Sequence, residues 1–415
     1  MSHKIVIGLG MGDEGKGSFV DYLCFMHKTK WVVRFSGGPQ CGHRVVTPDG
    51  KEHIFSQFGS GSFQGAKTFY AKTVLFNPQA LYNEWKILKE KIPNVEKQFF
   101  VHEDCVVVTS IHILKNIIQE RINRHGSTAT GCWVTLEHSL KYPDRALRLK
   151  DLVRFTRQEA KDWMYEIAKD LGIERDFTFI QNSIDSYLDD IYNGPLIREN
   201  IVNDEWCHEH FRNESDIVFE GNQGVLIDAD YGFFPNVTSS SCTQKYAIEF
   251  LEEYCKNKDV AIYGLMRHYM CRHGAGIFPS EDKSISINEA NEPTEFTGAM
   301  RYGRFDQVMF RYACDIIRPD VLVVSCMDQE VFTTSFIPAN AYIIPKMEDY
   351  GNLMAHEDRT KALSQLKNLA RRDKVEYSLN ASPEGFYKNI AMGRSIETII
   401  FSYGPTCHDK LVVSC

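Results

Sequence analysis

Apolar residues fall in two spacings along this chain. Short unbroken runs alternate with longer segments in which they recur every three or four positions. Runs bounded by turn residues read as buried strands: Lys4-Ile5-Val6-Ile7, residues 31–35, Asp216-Ile217-Val218-Phe219, residues 260–264, Val321-Leu322-Val323-Val324 and a last one at 396–402. Residues 99–108 hold one or two more. The helical spacing follows the first run (Phe19, Val20, Leu23, Phe25, Met26) and returns at 78–92, where Pro78 opens the helix and Leu81, Trp85 and Leu88 share a face. It recurs at 111–122 (Ile111, Leu114, Ile117, Ile118, Ile122), at 244–256 and at 305–317 (Val308, Met309, Tyr312, Ala313, Ile316). Residues from 144 to about 213 read as helical and charged, with the basic residues at the entry forming a solvated face. Near the C-terminus a Lys/Arg-rich helix is expected at 359–372 and another at 384–390.

Strands alternating with helices predict an α/β fold. Its large, mostly parallel central sheet carries helices on both faces, a P-loop-like nucleotide site and smaller inserted subregions. The pattern shows no linker or repeat, so the chain reads as one domain over 1–415 with a mostly helical subregion at about 144–213. Glycine-rich and polar loops recur at the C-terminal ends of strands, which predicts one ligand crevice there.

Composition narrows the class. Lys and Arg number 47 against 55 Asp and Glu, a balance of −8 that argues against nucleic acid as a partner. No apolar run approaches membrane-spanning length, so no membrane partner is expected. Twelve cysteines are scattered with no CxxC pair, which reads as reduced thiols in a cytoplasmic protein. The run His268-Tyr269-Met270-Cys271-Arg272-His273 carries potential metal ligands but has no second cluster at zinc-site spacing.

The candidate chemistry begins at the first strand. Gly8-Leu9-Gly10-Met11-Gly12-Asp13-Glu14-Gly15-Lys16-Gly17 follows it and precedes a helix, the arrangement in which backbone N–H groups face a phosphate. From Gly10 to Lys16 the residues fit the phosphate loop, with Gly17 where Ser or Thr ordinarily meets the metal. Gly10, Gly12 and Gly15 also fit the dinucleotide fingerprint, but the next strand carries Arg34 and no carboxylate. Lys16 and Asp13 favour phosphoryl transfer, while an NADP-linked oxidoreductase stays open as an alternative. The second glycine loop, Ser36 to His43, ends in a histidine placed for acid–base work. A third, His125 to Gly131, is rich in hydroxyls and reads equally as a phosphate contact or a plain connection.

Taken together the loops resemble the adenylosuccinate synthetase family. Gly12-Asp13-Glu14-Gly15-Lys16-Gly17, with Val20-Asp21 after it, is similar to that family's opening signature. Gly37-Gly38 and Gly42-His43 resemble the second loop. Phe219-Glu220-Gly221, Gln223-Gly224, Leu226 and Asp228, then Pro235 and Val237-Thr238-Ser239-Ser240, resemble the central signature. Arg272, Gly274-Ala275-Gly276, Phe278-Pro279 and Glu281 come next. Thr297-Gly298, Gly303-Arg304-Phe305-Asp306, Met327-Asp328 and Ser402 with Gly404-Pro405 follow in family order.

The resemblance implies a C–N ligase that joins aspartate to a purine nucleoside monophosphate, using a nucleoside triphosphate and Mg²⁺. IMP is the expected purine. Asp13 would take the N1 proton and ligate the metal, to which Gly42 offers a carbonyl. Lys16, Gly12, Glu14, Gly15 and Gly17 would surround the donor phosphates. His43 would be a general acid, and Gln223 would steady the activated O6. Gln40, Thr130 and Thr238 would contact the nucleotide, and Arg145 would reach into a neighbouring subunit's site, which implies a homodimer. Asp328, Gly404 and Pro405 would hold the base of GTP or ATP. Thr297, Arg301, Arg304 and His273 would hold the amino acid.

The sequence departs from the family in three places. Gln40 stands for an Asn. The run Ala299-Met300-Arg301-Tyr302 is one residue short and keeps one arginine, so an amino acid other than aspartate stays open. Ser325-Cys326-Met327-Asp328 lacks the base-reading Lys, which leaves GTP and ATP both open. A virus- or pathway-specific relative acting on dGMP or GMP, and a non-catalytic nucleotide-binding homologue, are the other readings.

Overall fold

The computed structural model describes residues 2–123, 126–173, 177–194, 198–233, 235–287, 295–329, 336–337 and 383–415. The expected helix at 359–372 lies outside them. The strands are β1 (His3–Gly8), β2 (Trp31–Arg34), β3 (His43–Val46), β4 (Glu52–Phe55), β5 (Lys67–Tyr70), β6 (Phe99–His102), β7 (Ile201–Val202), β8 (Ile217–Glu220), β9 (Val260–Arg267), β10 (Met270–Arg272), β11 (Arg301–Gly303), β12 (Phe305–Asp306), β13 (Val321–Ser325), β14 (Phe336–Ile337), β15 (Thr398–Ser402) and β16 (Lys410–Ser414). The helices are α1 (Lys16–His27), α2 (Pro78–Leu88), α3 (Ser110–Asn123), α4 (Cys132–Lys141), α5 (Leu149–Leu152), α6 (Arg157–Asp170), α7 (Phe177–Tyr192), α8 (Asp204–Phe211), α9 (Lys245–Tyr254), α10 (Gln307–Ile317) and α11 (Pro383–Met392). Strand pairing is mostly parallel with helices between, the α/β class the pattern predicts.

The chain groups into two compact units, each assembled from separated stretches. The first comprises 1–3, 17–220 and 245–259. Its strands run in the order β8-β2-β5-β6-β7, all parallel, with β3 and β4 as an antiparallel hairpin. Helix α7 buries Ile180, Ile184, Tyr187 and Leu188, a helical face that joins Met164 and Ile167 of α6 and Leu81 and Leu88 of α2 in one core. Rings of Trp31, Phe69, Phe211 and Phe250 meet edge-on at centroid distances of 5.0–5.8 Å. Caps set the helix starts: the Asn77 side chain accepts from Gln79 and Ala80 N–H before Pro78, and Thr156 forms a capping box with Glu159.

The second unit comprises 4–16, 221–244 and 260–415. Its strand order is β16-β15-β13-β9-β1, with β9, β13 and β15 parallel and β16 antiparallel at the edge. Helix α10 starts at Gln307, two residues later than the pattern predicts. The Asp306 carboxylate accepts from Val308 and Met309 N–H and so ends the extended backbone of β12. His43, expected to end the second loop, instead opens a strand over His43–Val46, and 301–303 form another strand. Among the described residues no helix is long and apolar enough to cross a membrane.

A buried histidine relay ties α3, α4 and α6 together in the first unit. Thr109 N–H donates to His112 Nδ1 at 3.2 Å, which places the proton on Nε2 to face His138 Nδ1 at 3.4 Å. His138 Nε2 then meets Asp170 at 3.3 Å, and the same carboxylate accepts from Arg145 at 2.9 Å. Burial, helped by His138, pushes the His112 imidazole down to about 3. A histidine held neutral this way contributes stability that is complete above its unfolded value of about 6.5 and is lost as pH falls toward 3. The loss should approach about 2 kcal/mol by pH 5, from about 1.4 kcal/mol per pH unit. Urea titrations at pH 7, 6 and 5 should show the slope. In His112→Asn, which keeps an acceptor for Thr109, the slope should fall by about one proton; an unchanged slope would assign the acid sensitivity elsewhere.

Candidate functional site

In the second unit β1 runs straight into the glycine loop. Gly12 (φ 102°), Asp13 (φ 63°) and Gly15 (φ 85°) take left-handed backbone conformations within four residues. Glycine adopts that region freely and aspartate at a cost, so Asp13 is held there by its surroundings. Arg267, at the end of β9, supplies part of the hold: its Nε donates to the Asp13 carbonyl at 2.5 Å, and its Nη1 donates to the Tyr269 hydroxyl at 2.6 Å. Ser325 at the end of β13 donates to the Glu14 carbonyl at 2.9 Å.

Glu14 turns inward and takes the loop's own donors. Its Oε1 accepts from Gly12 N–H at 2.8 Å and Gly10 N–H at 3.1 Å, and its Oε2 meets Lys16 Nζ at 2.6 Å. Both side chains of that ion pair are 2 % exposed. Two amides and an ammonium around one pair of anionic oxygens is a phosphate-type donor set, met here by a carboxylate.

The segment after β8 closes on the same loop. Gly224 lies so near that an added Cβ would collide with the Gly10 carbonyl and the Glu14 carboxylate. Gln223 is a second non-glycine residue in the left-handed region (φ 43°). Its Oε1 is buried and has no hydrogen-bond partner among the described residues. Thr238 N–H donates to the Ile227 carbonyl at 2.7 Å, and the Asn222 amide donates to Ser240 at 3.0 Å. Asp228 organises this stretch by accepting from Asp230 and Tyr231 N–H at 2.7 and 3.0 Å. Leu9, Gly10, Met11, Gly12 and Glu14, with Met266, Arg267, Tyr269, Met270, Cys271, Phe305 and Phe310, line a small cavity under the loop.

The other predicted contacts of this unit fall on two further loops. Cys326 is left-handed (φ 58°) just before Asp328, and Met327 N–H donates to the Ser402 carbonyl at 3.0 Å. That bond joins the Asp328 loop to the loop of Gly404 and Pro405, where Ser402 Oγ meets the Gly404 carbonyl at 3.1 Å. His273 Nε2 lies 3.0 Å from both Thr297 Oγ1 and the Gly298 carbonyl. Arg301 pairs with Glu281 at 2.7 Å and Arg304 with Asp282 at 3.3 Å.

In the first unit His43 opens β3 and is buried. Its Nδ1 faces Glu220 Oε1 at 2.6 Å, and Glu220 Oε2 accepts from Ser60 N–H at 3.0 Å. Glu220 stands beside Arg34 in the β2–β8 register, and both are almost fully buried. Burial pushes the Glu220 carboxyl up, but His43 and then Arg34 outweigh it and bring it down to about 2. A carboxylate on Nδ1 fixes a proton there and so sets the orientation of the ring. Gln40 Oε1 accepts from the Cys132 thiol at 2.8 Å. Cys132 opens α4 behind Gly131 (φ 84°), with Thr130 Oγ1 at 3.5 Å from its sulfur, so the Gln40 and Thr130 loops meet at one helix N-terminus. Gly17 packs against the backbone of Gly42's neighbours His43 and Arg44: an added Cβ would lie 2.9 Å from the Arg44 carbonyl.

One further polar cluster could hold a metal by distance, His102 with Asp104 and Asp204. Its atoms are already engaged. His102 Nδ1 accepts from Asp104 N–H, its Nε2 meets Asp204, Lys150 pairs with Asp104 at 2.7 Å, and Lys72 and Tyr254 take Asp204.

The sequence singled out Asp13, Lys16, Gln223 and His43 and overlooked what they touch. Glu220, Ser60, Arg267, Glu281 and Cys132 were given no role. Glu220 and Glu281 carried a signal, each standing in a stretch that resembles a family signature, Glu220 also as a carboxylate at a strand end before Gly221.

A profile of the family described as adenylosuccinate synthetase matches residues 5–343. An adenylosuccinate synthetase of Thermoplasma volcanium is 30 % identical over 335 residues, 78 % of this chain and 75 % of that protein. One of Thermotoga maritima is 30 % identical over 342 residues, 79 % of this chain and 80 % of that protein. Among solved structures, a fully ligated adenylosuccinate synthetase from Plasmodium falciparum has the same fold (TM-score 0.72, 18 % identity, 100 % of both chains). So does a succinoaminodeoxyadenylate synthetase of cyanophage S-2L, bound to dGMP with dATP as energy donor (TM-score 0.62, 14 % identity, 99 % of this chain and 95 % of that one).

The buried Glu14–Lys16 pair gives a direct test of the loop. Lys16→Met leaves a buried carboxylate without its cation and should cost about 3–5 kcal/mol in urea unfolding. Adding Glu14→Gln should restore most of it. A single variant as stable as the parent would mean that the pair does not organise the loop.

Proposed function

The chain belongs to the adenylosuccinate synthetase family, C–N bond-forming ligases that act on purine nucleotides, and we propose that it joins aspartate to IMP at the expense of a nucleoside triphosphate. The observation that carries this reading is the pair of strained residues at the glycine loop. Asp13 and Gln223 both take left-handed conformations, and the Gln223 amide oxygen is buried with no partner among the described residues. Strain and an unmet buried acceptor in one place are what a preorganised ligand site keeps.

A purine 6-oxygen is a poor leaving group, and its phosphorylation makes displacement by an amine feasible. In the proposed sequence the Asp13 carboxylate takes the N1 proton as O6 attacks the γ-phosphoryl group, and a nucleoside diphosphate leaves. Gln223 holds the purine edge, and Lys16 with the Gly10 and Gly12 amides takes the donor phosphates in place of Glu14. His43, oriented by Glu220 and carrying a proton on each ring nitrogen for this step, donates from Nε2 to the developing oxyanion. The amine of aspartate then adds at C6 and inorganic phosphate departs.

The family uses a metal ion, which we propose is Mg²⁺. By the family resemblance its donors are the Asp13 carboxylate and the Gly42 carbonyl, hard oxygens of the kind that cation takes. Bound there, it would neutralise charge on the phosphates. Thr130, at the start of α4, and Thr238 would hold the substrate phosphate, and the exposed Asp328 carboxylate would accept from the donor's base, as guanine allows.

Trp133 and Leu140 on α4 and Ile122 on α3 are 50–75 % exposed, on two helices that lead to Arg145. This apolar surface supports a homodimer in which Arg145, now on Asp170, is presented to a second copy. All twelve cysteines are free thiols, which suits a cytoplasmic protein.

Purified protein given IMP, GTP or ATP, Mg²⁺ and aspartate should release phosphate and form an N6-succinyl nucleotide by mass spectrometry. Turnover with dGMP but not IMP would replace the proposed purine. Asp13→Ala should lower kcat by about 10³-fold or more with the Tm little changed; undiminished turnover would remove Asp13 as the base. Leu140→Lys should shift the mass in light scattering from dimer to monomer, and an unchanged mass would place the interface elsewhere.

A further inference from the structure

The loop expected to grip the amino acid already holds a carboxylate of the chain itself. Strands β10 and β11 pair antiparallel with Arg272 opposite Arg301, so two guanidinium groups stand on neighbouring strands. Arg301 uses both nitrogens of one edge on Glu281: Nε to Oε1 at 2.9 Å and Nη2 to Oε2 at 2.7 Å. Its Nη1 donates to the carbonyls of Gly274 and Gly276 at 3.2 and 3.0 Å, and its plane lies over the Phe278 ring. Gly276 (φ 112°) leaves room for the neighbouring Arg272, since a Cβ there would strike its guanidinium.

Arg272 is almost fully buried. It spends its donors on the carbonyls of Ala275, Ile277 and Asn236 and on the Met11 sulfur, none of them anionic. Asp282, beside Glu281, is taken by Arg304 and by Ser284. Arg272, Arg301 and Glu281 together therefore carry one positive charge in excess, and burial with Arg301 alongside lowers Arg272 to about 10. The Arg301–Glu281 fork is itself 26 % exposed on each side, so a solute can reach it.

We infer that Glu281 is a specificity-determining residue that keeps the place of a substrate carboxylate on Arg301, so that only an amino acid with a side-chain carboxylate can displace it. This rests on the amino-acid role proposed for Arg301. An incoming carboxylate makes the same two charge-assisted bonds that Glu281 gives up, and the released Glu281 returns to water. An amide such as that of asparagine offers one neutral acceptor oxygen and would have to break a bidentate ion pair to gain it. Every ligand that displaces Glu281 breaks the same fork, so the competitor lowers aspartate and asparagine affinity by one factor; only a carboxylate regains two charge-assisted bonds, and asparagine is held below the affinity at which it binds measurably.

Aspartate, asparagine and succinate titrated by calorimetry into the full chain saturated with IMP test this directly. Glu281→Gln should bind aspartate and succinate at least fivefold more tightly than the parent, and should bring asparagine binding into the measurable range. Adding Arg301→Met should erase the gain. Glu281→Asp, which keeps the charge but shortens the reach, should fall between and serves if Glu281→Gln does not fold. Aspartate affinity equal to or below the parent's in the folded variants, or no binding to any of them, overturns the inference and leaves Glu281 as a residue that merely aims Arg301. Binding that follows the expected order without phosphate release would instead sink the ligase reading alone.

Discussion

The carboxylate of Glu14, inside its own glycine loop, is the interaction on which the second unit's site depends. A loop of five glycines in ten residues is expensive to order, because each glycine gives up more freedom than any other residue. Two amide bonds and one buried ion pair on a single side chain supply that order. Other features follow from it. Gly8 and Gly224 must lack side chains because the Glu14 carboxylate lies where a Cβ would be. The carbonyls of Asp13 and Glu14 are held from outside the loop, by Arg267 and Ser325.

Most of the parallel architecture was legible because strands buried on both faces read as unbroken apolar runs. The strands that escaped lack such runs. β3 and β4 alternate buried with exposed or half-buried positions, as a hairpin with one wet face must, and β16 is an exposed edge that opens on a lysine. Helix α4 escaped for a different reason. Its buried residues are Cys132, Val134, Thr135 and His138, while Trp133 and Leu140 face out, so its apolar spacing does not mark its core face. The reading of 305–317 as helix erred only at Phe305 and Asp306, because a cap carboxylate looks like any other polar residue until the N–H groups it accepts from are known.

The candidate site was legible in its parts and not in its pairings. A glycine loop and a histidine after a strand can be found from local spacing. That His43 meets Glu220, 177 positions away, cannot, because the pairing is a property of the β2–β8 neighbourhood and not of either segment. Lys16 read as a cation free for phosphates, and the structure instead places it on a carboxylate two residues back. Arg301 read as a cation free for an amino acid, and it too is engaged, by Glu281. Sequence shows which charges are near in the chain. It does not show which partner a buried or half-buried cation has in hand.

The need for a partner joins the two loops under one physical rule. A cation withdrawn from water costs several kcal/mol unless an anion pairs it or carbonyl oxygens take its donors, as they do for Arg272, so a buried cation is not left bare. One solution is to lower the charge by protonation changes, which an arginine all but forbids. Another is to carry a surrogate anion on a short tether, as Glu14 does for Lys16 and Glu281 for Arg301. A surrogate trades affinity for order. The donors are already aimed, so a true ligand pays little reorganisation, but its binding is reduced by the competitor it displaces. A ligand that cannot match the surrogate's charge and two-oxygen geometry gains nothing from the donors' alignment. Strain at Asp13 and Gln223 and self-pairing at Lys16 and Arg301 are in this sense one design: the polypeptide holds the shape of the anions it is built to receive.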